Sequence, residues 1–170
     1  MSVWSVSGPY SLDDTLDFEP LEEFLSQAST TGVDAVILMG PFVDAEHPLI
    51  RSGQCTKTPQ ELFDQLVMRL KRCFNGTSTH VIMVPSVRDI HHAFVFPQPT
   101  LSSEYGWANL HFAANPATFA INEVVFGVCT MDILMHLTAE EIARFVCSKL
   151  PILIIEWSEI DAVRTAFRTR

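Results

Sequence analysis

The sequence predicts an α/β protein in which a mostly parallel β-sheet is flanked by helices and followed by a β-hairpin. The first observation is that strand and helix signals alternate from the start, in the order strand, helix, strand, helix, strand. The second is that the segments Ala35–Met39 and His80–Val84 are almost continuously apolar, as in strands covered on both faces. Short connections in this order imply right-handed crossovers and parallel strand pairs.

The first strand is predicted at Ser2–Ser7, where β-branched and aromatic residues precede a Gly-Pro pair. Pro20 is expected to open a helix that Thr30-Thr31-Gly32 ends, and one face of it carries Leu21, Phe24, Leu25 and Ala28. A second helix starts at the capping box Thr58-Pro59-Gln60-Glu61. Its apolar stripe consists of Leu62, Phe63, Leu66, Val67 and Leu70.

The pattern changes beyond Pro99. The segments Thr118–Ile121 and Val124–Thr130 flank Asn122-Glu123 and are predicted to form a hairpin. A further capping box at Thr138 predicts a helix to about residue 148, followed by a strand over residues 152–155 and an amphipathic helix that begins near residue 158. At 170 residues without an internal linker, the chain is expected to build one hydrophobic core.

Composition limits the function classes. Hydrophobic residues make up 48% of the chain and charged residues 18%, which argues against disorder and indicates that some apolar surface meets a partner. The formal net charge of −9 argues against direct binding of a nucleic-acid backbone. No apolar run approaches the roughly 18 residues of a membrane span, and the first ten residues do not read as a secretory signal, so we expect a cytosolic or nuclear protein.

The chain has four cysteines, and no two of them form a C-x-x-C pair. This scatter favours reduced, buried thiols over disulfides or a zinc site. The cysteines are Cys55, Cys73, Cys129 and Cys147.

Candidate site residues follow two of the predicted strands, at the sheet edge where ligands of parallel α/β proteins bind. Asp44 and His47 follow the second strand, and Asp89, His91 and His92 follow the third. Carboxylate and imidazole groups are the ligands that a two-metal phosphoesterase needs. These five residues therefore define the alternative function, a metal-dependent phosphoesterase.

Three features of the predicted strand ends argue against that alternative. Pro41 stands directly behind Gly40, where a bridging carboxylate would be needed, and Arg88 would repel cations. The end of the first strand supplies no ligand. We therefore predict that Asp89 pairs with Arg88 or accepts hydrogen bonds from loop amides. The same interpretation has the rings of His91 and His92 bonding to backbone carbonyls. On this interpretation Asp89→Ala costs about 1 to 3 kcal/mol of stability and affects no catalysis.

Five ordered blocks of the sequence resemble a known family. They are "GPYSLDDTLDFEPL", "ILMGPFVDAEHPLI", "VPSVRDIHHAFVFPQP", "ANPATFAINEVVFGVCTMDIL" and "LTAEEIAR". Together they look like the phosphoesterase-like domain of the second, non-catalytic (B) subunit of the DNA polymerase alpha and primase complex. The resemblance runs from about residue 3 to residue 149.

The resemblance implies a partial calcineurin-like phosphoesterase fold with an inactivated metal site. Active relatives have the motifs Asp-x-His, Gly-Asp and Gly-Asn-His-Asp/Glu. The matching positions here are Ser5-Val6-Ser7, Gly40-Pro41 and Pro85–Asp89, and a later Gly-His-x-His motif is not found. The resemblance therefore implies that the chain has no catalytic residue, no metal ligand and no cofactor. Residues 1–149 would be a partial phosphoesterase-like domain and residues 150–170 a divergent C-terminal tail.

The family also implies partners and a place in the cell. The accessory subunit is a scaffold in the nucleus that grips the cysteine-rich C-terminal domain of the polymerase catalytic subunit, assembles with the primase subunits, and meets DNA only through the complex. The family's N-terminal helical region, its oligonucleotide-binding fold and most of the later strands are not matched by this sequence. Because missing strands leave an apolar sheet edge open, we expect residues 1–170 alone to be marginally stable.

Overall fold

The computed structural model describes residues 1–133. These residues form three helices and six strands, and the strands make up two sheets. In chain order the elements are β1 (Val3–Ser7), α1 (Glu19–Thr31), β2 (Ala35–Met39), α2 (Pro48–Arg51), α3 (Pro59–Phe74), β3 (His80–Val84), β4 (Leu110–Phe112), β5 (Ala117–Ile121) and β6 (Val124–Val128).

The central sheet has the strand order β1-β2-β3-β4, and every neighbouring pair is parallel. Residues 35–39 of β2 pair in register with residues 3–7 of β1 on one side and with residues 80–84 of β3 on the other. The alternating α/β pattern is therefore confirmed as a mostly parallel sheet with helices. The carboxyl ends of β1, β2 and β3 lie side by side at one edge of this sheet.

The sheet is covered differently on its two faces, as the alternation along β2 shows. Val36 and Leu38 pack with the buried faces of α1 and α3 in the larger core, and Ile37 and Met39 pack in a second core with the hairpin strands. The all-buried pattern of β2 follows from this double coverage. Helices thus cover one face, and the antiparallel pair β5-β6 packs against the other.

The helix ends agree with the signals in the sequence. At the start of α3, the Thr58 hydroxyl oxygen accepts from the Glu61 amide at 3.2 Å, and the Glu61 carboxylate accepts from the Thr58 amide at 2.7 Å. This reciprocal pair is the predicted capping box. Helix α1 ends before Gly32, which adopts φ +68° as a left-handed cap residue.

Two short elements were not predicted. Strand β4 has three residues and α2 has four, too short for a periodic pattern to emerge. The predicted hairpin is confirmed, with Asn122 at φ 55° in its turn. The helix predicted from residue 138, the strand over 152–155, the last helix and the tail 150–170 all lie outside the described residues.

The cysteines differ in part from expectation. Cys55, Cys73 and Cys129 are free, as predicted, but they are half-buried rather than buried. Cys147 lies outside the described residues. In the part of the chain that the structure describes, none of the helices is long and apolar enough to pass through a membrane.

Candidate functional site at the carboxyl ends of the parallel strands

The loops after β2 and β3 are joined at the carboxyl edge of the sheet. The Ala45 amide donates to the Arg88 carbonyl at 2.9 Å, and the Ile90 amide donates to the Val43 carbonyl at 3.0 Å. This short antiparallel bridge, centred on Asp44 and Asp89, places the candidate residues of both loops at one edge. Backbone hydrogen bonds thus join the two loops, in addition to any contact that their side chains make.

Asp89 ties the ends of β2 and β3 together. One carboxylate oxygen accepts from the amides of Phe42 at 2.5 Å and Val43 at 3.1 Å, and the other accepts from the Ser86 amide at 2.8 Å. The side chain is almost fully buried, at 2% exposure. The prediction that Asp89 is bonded to loop amides is confirmed, whereas the alternative pairing with Arg88 is wrong.

Gly40 makes this arrangement sterically feasible. A Cβ atom at Gly40 would lie 2.5 Å from the Asp89 carboxylate and 2.7 Å from the Ser86 amide nitrogen. These separations are too short for real contacts, so any side chain would push the carboxylate away from its amide donors. Gly8 meets a similar constraint, because a Cβ there would collide with the Pro41 carbonyl. The residue directly after each of these two strands therefore has no room for a side chain, because the loops approach closely.

Arg88 pairs with Asp44 on the other loop. Its Nε atom donates to one Asp44 oxygen at 3.1 Å, and a terminal guanidinium nitrogen donates to the other oxygen. Asp44 also accepts from the Glu46 amide at 3.0 Å and is buried. A bidentate guanidinium thus occupies the carboxylate that a cation would need.

His47 is committed to the backbone through both ring nitrogens. Nδ1 accepts from the Leu49 amide at 3.2 Å and caps α2, and Nε2 lies 2.7 Å from the Leu12 carbonyl oxygen. This pattern defines a neutral ring with its proton on Nε2. Because neither nitrogen retains a free lone pair, the ring has none to offer a metal ion.

The two adjacent histidines behave differently from one another. The Nε2 atom of His92 lies 2.9 Å from the Pro99 carbonyl oxygen, which confirms the predicted backbone contact. For His91 the prediction is wrong, because neither buried ring nitrogen has a hydrogen-bond partner. Its ring instead stacks on Phe63, with the ring centres 4.2 Å apart.

Burial shifts two acid–base equilibria at this edge. Desolvation raises the pKa of Asp89 to about 6, although the three amide bonds and the nearby His92 oppose the shift. Desolvation lowers the pKa of His91 to about 4, with His92 adding to the effect and Asp64 opposing it. A perturbed pKa is common at catalytic sites. Here burial is the largest cause of both shifts, and the hydrogen bonds of Asp89 are those of a loop-fixing residue.

The five candidate ligands share one edge of the sheet, but each has a separate role in the loops. Within residues 1–133, no group of three or more His, Cys, Asp or Glu side chains is placed to hold a metal ion. The carboxylates face amides and a guanidinium, and the imidazoles face carbonyls and an aromatic ring. What the arrangement achieves is the fixing of two long loops.

A buried polar network next to this edge was missed from the sequence. The Asn115 side-chain amide donates to the Gln98 side-chain oxygen at 2.8 Å, and its carbonyl oxygen accepts from the Thr130 amide at 3.1 Å. The Thr130 hydroxyl donates to the Pro85 carbonyl at 2.7 Å. The network joins the loop after β3 to the hairpin. In the sequence, only the neighbouring prolines mark Gln98 and Asn115, and nothing marks Thr130.

The fold and this edge define a class of protein: an α/β domain in which the usual ligand-binding end of a parallel sheet is closed by hydrogen bonds among its own loops. The chain belongs to the family of B subunits of DNA polymerases alpha and epsilon, whose model matches residues 3–159. The resemblance seen in the sequence is thereby confirmed.

Curated relatives carry the same description. The chain is 34% identical over 140 residues to the B subunit of DNA polymerase alpha from Bos taurus, a match covering 80% of this chain and 23% of the relative. It is 37% identical over 151 residues to the protein of that name from Schizosaccharomyces pombe, covering 85% of this chain and 26% of the relative. The chain thus matches about a quarter of the length of these relatives.

Proposed function

We propose that this chain is a non-catalytic, accessory part of the DNA polymerase alpha–primase complex in the nucleus. In this role it binds the C-terminal domain of the polymerase catalytic subunit and supports the initiation of DNA replication. Residues 1–149 would be part of a phosphoesterase-like domain of calcineurin type, followed by a tail at 150–170. The family membership and the names of the relatives support the accessory role.

The observation that carries the non-catalytic part of the proposal is the set of bonds made by Asp89. Its carboxylate accepts from three loop amides, so three of its roughly four acceptor sites are already used. Arg88 holds the second carboxylate, Asp44, and adds a positive charge where a divalent ion would sit. The bonds favour a structural use of both acids.

Charge supports contact with proteins rather than with DNA. Residues 1–133 contain 15 acidic and six basic side chains, so this part accounts for the whole formal charge of −9. Such a surface repels phosphates and attracts basic protein surfaces. We therefore assign contacts with nucleic acid to other subunits of the complex.

Co-expression with the catalytic subunit tests the binding proposal. We expect the full chain to copurify with the full-length catalytic subunit and the primase subunits in a stoichiometric complex. Gly40→Ala should reduce the recovery because it breaks the loop arrangement, and Gly106→Ala is the matched control because its Cβ would meet open space. A folded chain that does not copurify would contradict the proposal.

Metal analysis tests the alternative. We expect the purified chain to contain less than stoichiometric divalent metal and to leave a phosphodiester substrate intact in the presence of manganese. A phosphoesterase using Asp44, His47, Asp89, His91 and His92 would instead bind metal stoichiometrically. That metal would be lost on substitution of Asp89 or His91, and such a result would replace the scaffold proposal with the enzyme.

A further inference from the structure

The loop after β3 holds three consecutive large apolar side chains in solvent. Phe94, Val95 and Phe96 are 83%, 52% and 50% exposed, and Ile90 nearby is 42% exposed. Isolated apolar residues on a surface are common, but a continuous apolar run is seldom left uncovered in a soluble monomer. Residues 90–103 also contain no Asp, Glu, Lys or Arg, so no charge interrupts this surface.

The exposed run is held in place at both ends. The Gln98 side-chain amide donates to the carbonyls of Ser86 and Ala93, each at 3.1 Å. The Gln98 backbone amide donates to the Asn115 carbonyl at 2.7 Å, and His92 contacts the Pro99 carbonyl. A loop fixed in this way has already lost its conformational entropy before binding, so burying its side chains costs less than ordering a flexible segment would.

The net charge of the described residues indicates what covers the run. The described part of the chain carries the whole charge of −9, and three of its six basic residues, Arg51, Arg69 and Arg88, are already paired with carboxylates. A second copy of the chain would carry the same net negative charge and be repelled. A partner with Lys and Arg side chains around an apolar cleft complements both the run and the net negative charge of residues 1–133.

We propose that Phe94, Val95 and Phe96 form the docking point of this chain for its protein partner. The partner receives Phe94 in an apolar cleft bordered by basic side chains. This inference rests on the proposed function, since the partner used to test it is the polymerase catalytic subunit. It adds the surface and the chemistry of the contact, neither of which follows from membership of the family.

The test compares the affinity of variants of the full chain for the full-length catalytic subunit. Phe94→Ser should weaken binding about 30-fold, as expected for a central aromatic anchor, whereas Phe94→Leu should retain most of the affinity. The matched control is Tyr105→Ser, because Tyr105 is 40% exposed and lies beside the C-terminal half of α3. Higher salt should slow association of the wild type and of Phe94→Ser alike.

The outcomes separate this inference from the proposed function. If the wild type does not bind, the proposed function fails; if it binds and Phe94→Ser binds equally well, only the docking point is overturned. Maleimide labelling of Phe94→Cys in the free chain, corrected for the labelling of the wild-type cysteines, measures the exposure of this position. Slow labelling would show that the chain itself covers the run and would overturn the docking point. So would a wild-type dimer that Phe94→Ser converts to a monomer. Rapid labelling of the free chain and protection in the complex are expected.

Discussion

Replacing Asp89 with alanine removes the acceptor of three backbone amides, those of Phe42, Val43 and Ser86. A buried donor left without a partner costs about 1 to 3 kcal/mol. A water molecule can enter the space left by the carboxylate and satisfy one amide, and removing the buried charge offsets part of the remaining loss. We therefore expect the free energy of unfolding to fall by about 2 kcal/mol at pH 7, as from two unsatisfied amides at the lower bound.

The loss should grow as the pH falls. Burial raises the pKa of Asp89 from its ordinary 3.8 to about 6, so the folded protein takes up a proton before the unfolded chain does. The stabilisation from this proton is complete below pH 3.8 and is lost as the pH rises through 6. At pH 5 the wild type retains about 1 kcal/mol of it, so the difference between wild type and Asp89→Ala should reach about 3 kcal/mol.

Urea unfolding followed by circular dichroism at pH 7 and pH 5 measures both values. Asp13→Asn is the matched control, since Asp13 is exposed in a loop and its substitution should change stability by no more than about 0.5 kcal/mol. An Asp89→Ala variant as stable as wild type at both pH values would refute the loop-fixing role. The same variant losing a bound metal would assign Asp89 to the enzyme instead.

Three further predictions concern the same edge of the sheet. In urea titrations, His91→Phe should be about 2 kcal/mol more stable than wild type at pH 5 and about as stable as wild type at pH 7.5. The reason is that burial lowers the pKa of His91 from 6.5 to about 4, so the wild type loses stability as the pH falls through this window. An equal dependence of stability on pH in both proteins would contradict the assignment of this effect to His91. Gly40→Ala should lower the free energy of unfolding by about 3 kcal/mol or more, because its Cβ meets the Asp89 carboxylate. Gly106→Ala should change the free energy of unfolding by no more than about 0.5 kcal/mol. Equal unfolding midpoints for the two variants would count against the close approach at Gly40. Asn115→Ala should lower the free energy of unfolding by about 3 kcal/mol, because it leaves the Thr130 amide and the Gln98 side-chain oxygen without partners. Asn75→Ala is the control, because Asn75 is exposed and its substitution should cost little. An unchanged thermal midpoint in Asn115→Ala would show that the network is not needed for stability.

The fold was predictable wherever one local pattern determined the element. The continuous apolar runs of β2 and β3 predicted strands covered on both faces, and the box at Thr58 predicted the start of α3. Strand β4 was not predictable, because Leu110–Phe112 is held by pairing with β3 rather than by any pattern of its own. Short elements of this kind depend on contacts with residues distant in sequence.

The candidate site was predictable only in part. The sequence predicted that Asp89 either pairs with Arg88 or accepts from loop amides, because buried backbone groups need partners. The number and identity of its three amide donors were not predicted. The sequence did not reveal that Arg88 reaches Asp44, since the pair spans 44 residues. Nor did it reveal that Phe94 is exposed, because the sequence of a loop looks the same whether its apolar residue faces the core or solvent.

Thr130 connects the hairpin to the Pro85 carbonyl through its hydroxyl, and to Asn115 through its amide. Asn115 in turn bonds to Gln98, and Gln98 bonds to the Ala93 carbonyl, so the hairpin is joined to the loop that carries Phe94. A displacement of the hairpin would therefore have to break these hydrogen bonds or move the loop with it.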